Sequence, residues 1–229
     1  MIDWHSHVLP KMDDGSRSIE ESLKLINMQH RQGVDKIIAT PHFYANDESV
    51  NSFLERRQAS FELLEPNLAP NAPQIILGAE VKYYHGISKM ENLKALRAQD
   101  SEILLLEMPF SRWTEYMLRE ITEMSLMGNV KLVLAHIERY LSLQSREVME
   151  KVYSGEIFTQ VNASFFANLS TRRKAVAMLR QGKIHFVGSD CHNTTSRPPR
   201  LDSAFAVIER KLGPRFLTQM DEYGQSMLV

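Results

Sequence analysis

Apolar residues in this 229-residue chain gather in short runs of four to six, separated by longer stretches in which apolar positions recur every three or four residues. The short runs suit strands buried on both faces, and the longer stretches suit helices with one apolar stripe. Their alternation predicts repeated strand–helix units around a parallel sheet. Strands are predicted near 1–5, 35–40, 74–79, 102–107, 131–136, 157–162 and 184–189. Helices are predicted near 18–31, 47–65, 88–98, 113–127, 145–153, 170–181, 200–211 and 214–222. Ser18-Ile19-Glu20-Glu21 reads as a capping box: the serine hydroxyl accepts from a first-turn amide, Glu21 reaches back, and Gly33 stops the helix after Arg31.

Polar residues interrupt the apolar runs mainly at their carboxyl ends, and most are metal-ligand types. Asp3-Trp4-His5-Ser6-His7 opens the chain; His42 follows Lys36-Ile37-Ile38-Ala39, Glu80 follows Gln74-Ile75-Ile76-Leu77, and Glu107 follows Ile103-Leu104-Leu105-Leu106. His136 follows Leu132-Val133-Leu134-Ala135, and Gly188-Ser189-Asp190-Cys191-His192 ends the series. With Asp14 the candidates number nine: His5, His7, Asp14, His42, Glu80, Glu107, His136, Asp190 and His192. A His-x-His pair on extended backbone places both imidazoles on one face, where they can hold one ion. Donors at the ends of nearly all seven predicted strands favour a closed α/β barrel, a (βα)7 TIM-like fold whose loops converge at one mouth. An open doubly wound sheet collects its ligands at a single switch point and would not bring so many strands together. His30, His85 and His185 stay unassigned, and Asp13 reads as a residue shaping the Asp14-Gly15 turn.

Composition narrows the classes. With 43% hydrophobic and 24% charged residues the chain is globular, and one domain over 1–229 is expected. A formal net charge of -1 offers no bulk attraction to nucleic acid or anionic lipid. No apolar run reaches bilayer length and the N-terminus lacks a signal-peptide pattern, so a cytoplasmic protein without membrane insertion is expected. The single cysteine, Cys191, excludes an intramolecular disulfide.

Imidazoles and carboxylates without a thiolate cluster suit Mn²⁺, Fe²⁺ or Zn²⁺ in a catalytic site, and nine donors exceed the needs of one ion. A two- or three-metal centre follows, with carboxylates as natural bridges. Three divalent ions would outweigh the four carboxylates Asp14, Glu80, Glu107 and Asp190 and so attract a phosphate dianion. A second chemistry is also visible, because Cys191 and Arg197 have the Cys-x5-Arg spacing of thiol-based tyrosine phosphatases. Against it, the intervening His192-Asn193-Thr194-Thr195-Ser196 has no glycine to wrap a phosphate, and Pro198-Pro199 follows the arginine.

Asp3-x-His5-x-His7, Asp13-Asp14-Gly15, Thr40-Pro41-His42, Gly78-x-Glu80, His136-Ile137-Glu138-Arg139-Tyr140, Thr159-Gln160-Val161-Asn162 and Ser189-Asp190-x-His192, with Arg197-Pro198-Pro199, resemble the PHP (polymerase and histidinol phosphatase) superfamily across almost the whole chain. Within it the pattern is most similar to the bacterial capsule and exopolysaccharide tyrosine-protein phosphatases of the CpsB/YwqE type. The resemblance implies a distorted seven-stranded barrel with three divalent ions, manganese foremost. It would give His5, His7, Glu80 and Asp190 to the first ion, Glu80, Glu107 and His136 to the second, and Asp14, His42 and His192 to the third. It also implies that Arg139 and Arg197 face the phosphate, a role guanidinium forks suit. Lys82 stands where relatives often carry an apolar or aromatic side chain.

The implied reaction is in-line hydrolysis of a phosphate monoester by an activated water, with no covalent enzyme intermediate. A tyrosyl leaving group, of pKa about 10, departs with little help from a general acid. The implied partner is the tyrosine-phosphorylated tail of a bacterial tyrosine autokinase controlling polysaccharide export. Rival readings are a histidinol-phosphatase-like small-molecule phosphomonoesterase, a metal-dependent nuclease, an amidohydrolase, and a silent phosphotyrosine-binding partner of a kinase.

Overall fold

The computed structural model describes residues 1–228. Strand β1 (Ile2–Ser6), buried along its whole length, pairs in parallel with β2 (Lys36–Ala39), which pairs in parallel with β4 (Gln74–Leu77). Thr40-Pro41 and Gly78-Ala79 then interrupt the ladder. Beyond them β3 (His42–Phe43) pairs with β5 (Glu80–Lys82), followed by β6 (Ile103–Glu107), β7 (Lys131–Leu134), β8 (Phe158–Asn162) and β9 (Phe186–Gly188), all parallel. Proline lacks the ladder's amide donor, which accounts for the first break. The sheet curls until its two ends meet: the Asp190 amide donates to the His5 carbonyl (2.7 Å), and the His7 amide to the Cys191 carbonyl (3.0 Å). The Asp3 carboxylate reinforces this seam by accepting from the Ser189 amide at 2.7 Å.

Alternate strand residues serve two cores. Leu104, Leu106, Leu132 and Leu134 pack beneath the helices, whereas Ile103, Leu105, Val133 and Ala135 join Ile2, Trp4 and Phe186 in a smaller inner cluster. The next residue on the inner face of β6 is Glu107, so the register that buries Ile103 and Leu105 also delivers a carboxylate to the strand's carboxyl end.

Helices α1 (Ile19–Arg31), α2 (Val50–Leu64), α3 (Glu115–Ser125) and α4 (Arg146–Ser154) begin where Ser18, Ser49, Thr114 and Ser145 accept from the amide three residues on. At α1 the Glu21 carboxylate reaches back to the Arg17 amide (3.0 Å), one residue before the serine cap. Helices α5 (Ala163–Ala167), α6 (Arg172–Arg180), α7 (Leu201–Leu212) and α8 (Pro214–Ser226) follow. The helix expected over 88–98 does not form. That connection holds two 3-10 turns, Ile87–Lys89 and Leu93–Leu96, split at Asn92, whose φ of 58° breaks a right-handed helix. Burial of Ile87, Leu93 and Leu96 produced the helix-like spacing. The short α5 went unanticipated because Ala163–Ala167 runs straight on from β8.

Candidate metal centre

All nine candidate ligands gather at the carboxyl ends of the strands, each within 3.8 Å of another. Seven are buried, His42 is half-buried and Asp14 is exposed. Glu80 is the hub: its Oε2 lies 3.1 Å from His5 Nε2, 3.3 Å from His7 Nε2 and 3.0 Å from His42 Nδ1, and its Oε1 lies 2.9 Å from His136 Nε2. Glu107 Oε1 extends the group 3.4 Å beyond His136. Asp190 Oδ1 approaches His5, His7 and His192 at 3.6–3.8 Å, and Asp14 Oδ1 stands 3.5 Å from His42 and 3.3 Å from His192. His42 thus faces both Glu80 and Asp14, spanning two of the ligand sets that the resemblance keeps apart.

The donor chemistry fits divalent cations. His5 Nε2 and His7 Nε2 face each other at 3.1 Å beside two carboxylates, an arrangement a shared cation resolves. Among the described residues, His42 Nδ1 and His192 Nε2 are buried 3.0 and 3.3 Å from carboxylate oxygens of Glu80 and Asp14 without hydrogen-bond geometry, which is costly unless a cation takes up both sides. Electrostatics agree. Burial alone would lower the His7 imidazole, but Asp13 and Glu80 outweigh it and raise it to about 10; Glu107 and Glu80 likewise outweigh burial at His136 and raise it to about 9. Burial opposes ionisation of Glu80 and Asp190, yet the surrounding histidines hold both well below the ordinary carboxylate range. Burial, with the His7 charge beside it, lowers His192 to about 4.

A layer of supporting residues orients the donors. Asp13 accepts from His7 Nδ1 at 2.7 Å and from the amides of His42 and Gly15 at 2.9 Å, so it does more than shape a turn. Gln160 Oε1 accepts from the His136 amide at 2.7 Å and lies 3.2 Å from His5 Nδ1, while Gln160 Nε2 donates to Asn162, which donates to Asp190 at 2.8 Å. Gln160 and Asn162 stand in the Thr159–Asn162 motif without a role legible from the sequence; their period-two spacing on a strand is the one signal they carry. Gly15 and Gly188 make room for the site: a Cβ on either would meet His7 or His5 at 2.5 Å. His136 and Asp190 sit at φ 33° and 52°, left-handed conformations disfavoured for side-chain-bearing residues.

Arg139 donates to Asp190 Oδ2 and Arg197 to Asp190 Oδ1 (2.7 Å), and both line a cavity of about 260 Å³ with Asn162 and Ser189. Lys82 donates to Glu107 Oε2 at 2.6 Å, placing a further cation at the mouth. Cys191 is fully buried, burial pushes its thiol far up, and its Sγ accepts from Gln29 at 3.3 Å, none of which suits a nucleophile. His30, His85 and His185 lie outside the cluster: His30 is exposed near Asn71, His85 stacks on Tyr116, and His185 Nδ1 accepts the Thr159 amide.

The family described as capsular polysaccharide synthesis, CpsB/CapC, matches residues 1–224. The Streptococcus pneumoniae tyrosine-protein phosphatase CpsB is 34% identical, covering 94% of this chain and 92% of its own. A crystal structure from work on YwqE of Bacillus subtilis and CpsB of S. pneumoniae, described as unique metal-dependent tyrosine phosphatases, superposes with a TM-score of 0.82 at 25% identity, covering 100% of this chain and 94% of that one. The Listeria monocytogenes protein hisK shares the fold at a TM-score of 0.52 and 15% identity, over 84% of this chain and 95% of that one.

Proposed function

The chain belongs to the CpsB/CapC family of capsular polysaccharide synthesis proteins, and from that premise we propose that it is a metal-dependent protein-tyrosine phosphatase acting in capsule or exopolysaccharide synthesis. What carries the reading is the gathering of His5, His7, Asp14, His42, Glu80, Glu107, His136, Asp190 and His192 around one buried carboxylate, with Arg139 and Arg197 beside it. The physiological substrate is the phosphotyrosine-bearing tail of a tyrosine autokinase, met in the cytoplasm. The architecture is a single domain built as a distorted seven-stranded barrel of the PHP type, with β2 and β3, and β4 and β5, each counted as one interrupted strand.

The nine side chains would hold three divalent ions, manganese foremost, which supply an activated water and positive charge for the phosphoryl oxygens. The remaining work belongs to the chain. Arg139 and Arg197 turn their guanidinium groups from Asp190 to the phosphate, a bidentate geometry that orients the ester for in-line attack. Asp13 and Gln160 hold His7 and His5 with their Nε2 atoms directed at Glu80. Burial of seven of the nine donors excludes bulk water and strengthens every charge interaction there.

The test is release of inorganic phosphate from a phosphotyrosine peptide by chelator-stripped protein, with and without added Mn²⁺, beside histidinol phosphate as competitor substrate. Turnover of the peptide should need the metal, and Glu80→Ala should lower it by about a thousandfold or more, while Cys191→Ser leaves it intact. Activity that survives stripping but not Cys191→Ser would overturn the metal reading, and preference for histidinol phosphate would overturn the substrate.

A further inference from the structure

Few large apolar side chains stand exposed among the described residues, and two of them, Phe110 (49%) and Tyr44 (39%), flank the metal cluster. Phe110 lies three residues beyond Glu107 and Tyr44 two beyond His42. The Phe110 ring lies 5.7 Å from the His136 ring at an interplanar angle of 22°, and the Tyr44 ring lies 5.4 Å from that of His42 at 32°. His42 and His136 in turn touch opposite oxygens of Glu80, at 3.0 and 2.9 Å. The two aromatic rings therefore stand one side chain outward from the two ends of the same carboxylate.

Phe110 is also held in place. Tyr140 stacks near-parallel at 5.4 Å, the Lys82 ammonium lies 5.2 Å from the ring centroid, and the Arg139 guanidinium carbon lies 6.0 Å from it. A ring fixed between cations and aromatic neighbours, yet half open to water, is a platform with part of its surface unused. In a phosphotyrosine the aryl ring begins one bridging oxygen from phosphorus, so a phosphate held at the cluster carries that ring to the rim. A phosphoserine places only a short aliphatic stem there, with no ring beside the bridging oxygen for the rim to grip.

We propose that Phe110, with Tyr44 at the other end of the cluster, forms an aryl-binding mouth that selects phosphate esters of phenols over those of alkyl alcohols. The proposal rests on the phosphatase reading and adds the residues that set its specificity. The competing possibility is that Phe110 merely shields His136, in which case its loss would affect every phosphate ester alike.

The experiment compares Mn²⁺-loaded wild type, Phe110→Ala and Phe110→Trp on a phosphotyrosine peptide and on the phosphoserine peptide of the same sequence. Binding of a peptide carrying the non-hydrolysable phosphonomethyl-phenylalanine is measured by calorimetry, and bound manganese is counted in each protein. In Phe110→Ala the ratio of kcat/KM for phosphotyrosine over phosphoserine should fall about three- to tenfold, mainly through KM. The phosphonate should bind correspondingly more weakly, and Phe110→Trp should restore both. An active wild type whose preference survives Phe110→Ala, or a variant that loses both substrates equally, would overturn the platform alone. Wild type without turnover of the phosphotyrosine peptide would overturn the phosphatase reading and the platform with it.

Discussion

Gln160 joins three parts of the site, through His5, the His136 backbone and Asn162. Its carbonyl oxygen can only accept, so it fixes the proton of His5 on Nδ1 and leaves Nε2 free to face Glu80. Gln160→Ala should therefore weaken Mn²⁺ binding by about 10- to 100-fold with the fold retained; calorimetry beside circular dichroism checks this, and an unchanged affinity would remove Gln160 from the site. The same scale governs pH. Imidazoles raised from an ordinary 6.5 to about 10 at His7 and about 9 at His136 carry protons at neutrality. Metal must displace those protons, so binding releases them and tightens as pH rises toward that range. Stability of the stripped protein runs the other way. The folded values exceed the unfolded ones, so this contribution is full below about pH 6.5 and is lost as pH climbs through about 9 and then 10. Proton release on adding Mn²⁺ to weakly buffered protein at pH 7 is the direct measurement, and binding without release would contradict it.

At the scale of elements, the seam between β1 and β9 sets how closely the first and last donors approach. Gly188 is required there because a Cβ would lie 2.5 Å from His5 Cβ and 2.8 Å from the His5 amide nitrogen, and backbone cannot yield as a flexible side chain does. Gly188→Ala should destabilise the protein by about 1–3 kcal/mol or more in urea denaturation and weaken metal binding as His5 is displaced. Gly128→Ala, where a Cβ meets nothing within 4 Å, should stay within about 0.5 kcal/mol of the parent. Equal effects at the two positions would show that the close approach is unimportant. The elements were unevenly legible beforehand. Ser18, Ser49, Thr114 and Ser145 announce helix starts because capping is local chemistry. The connection after β5 misleads because apolar residues buried from 3-10 turns mimic helical spacing.

The whole molecule is a curled sheet closed at one end by packing and at the other by charge. Trp4 stacks on Phe186 at 4.0 Å, and α8 brings Gly224 against Trp4 so closely that an added Cβ would lie 3.1 Å from the indole. The opposite end gathers donors from the loops and strands of nearly the whole chain, so ions bound there tie its two ends together. Ligands that bind only the folded state stabilise it by about 2.7 kcal/mol per site at a hundredfold excess over Kd. For a chain of this size that is a rise in Tm of roughly 5–10 °C, measurable by differential scanning calorimetry as Mn²⁺ is added to stripped protein. An unchanged Tm would mean that the donors do not act as one centre. Among the described residues no helix is long and apolar enough to cross a membrane.

Hydrophobic periodicity and strand-end donors, both local patterns, were enough to indicate a parallel α/β sheet and to name eight of the nine candidate ligands, Asp14 lying in the loop beyond β1. Short-range spacing encodes which face of a strand or helix is apolar, and the donors stand where each apolar face ends. Tertiary structure alone decided which partners meet. The Gln160–His5 contact spans 155 residues and the Ser189–Asp3 hydrogen bond spans 186, separations over which no local pattern constrains contact. Asp13 as the partner of His7, Lys82 on Glu107 and Phe110 at the rim likewise follow from where the curl of the sheet brings side chains together. Closure of that curl is a property of packing summed over all the strands, which no single segment carries.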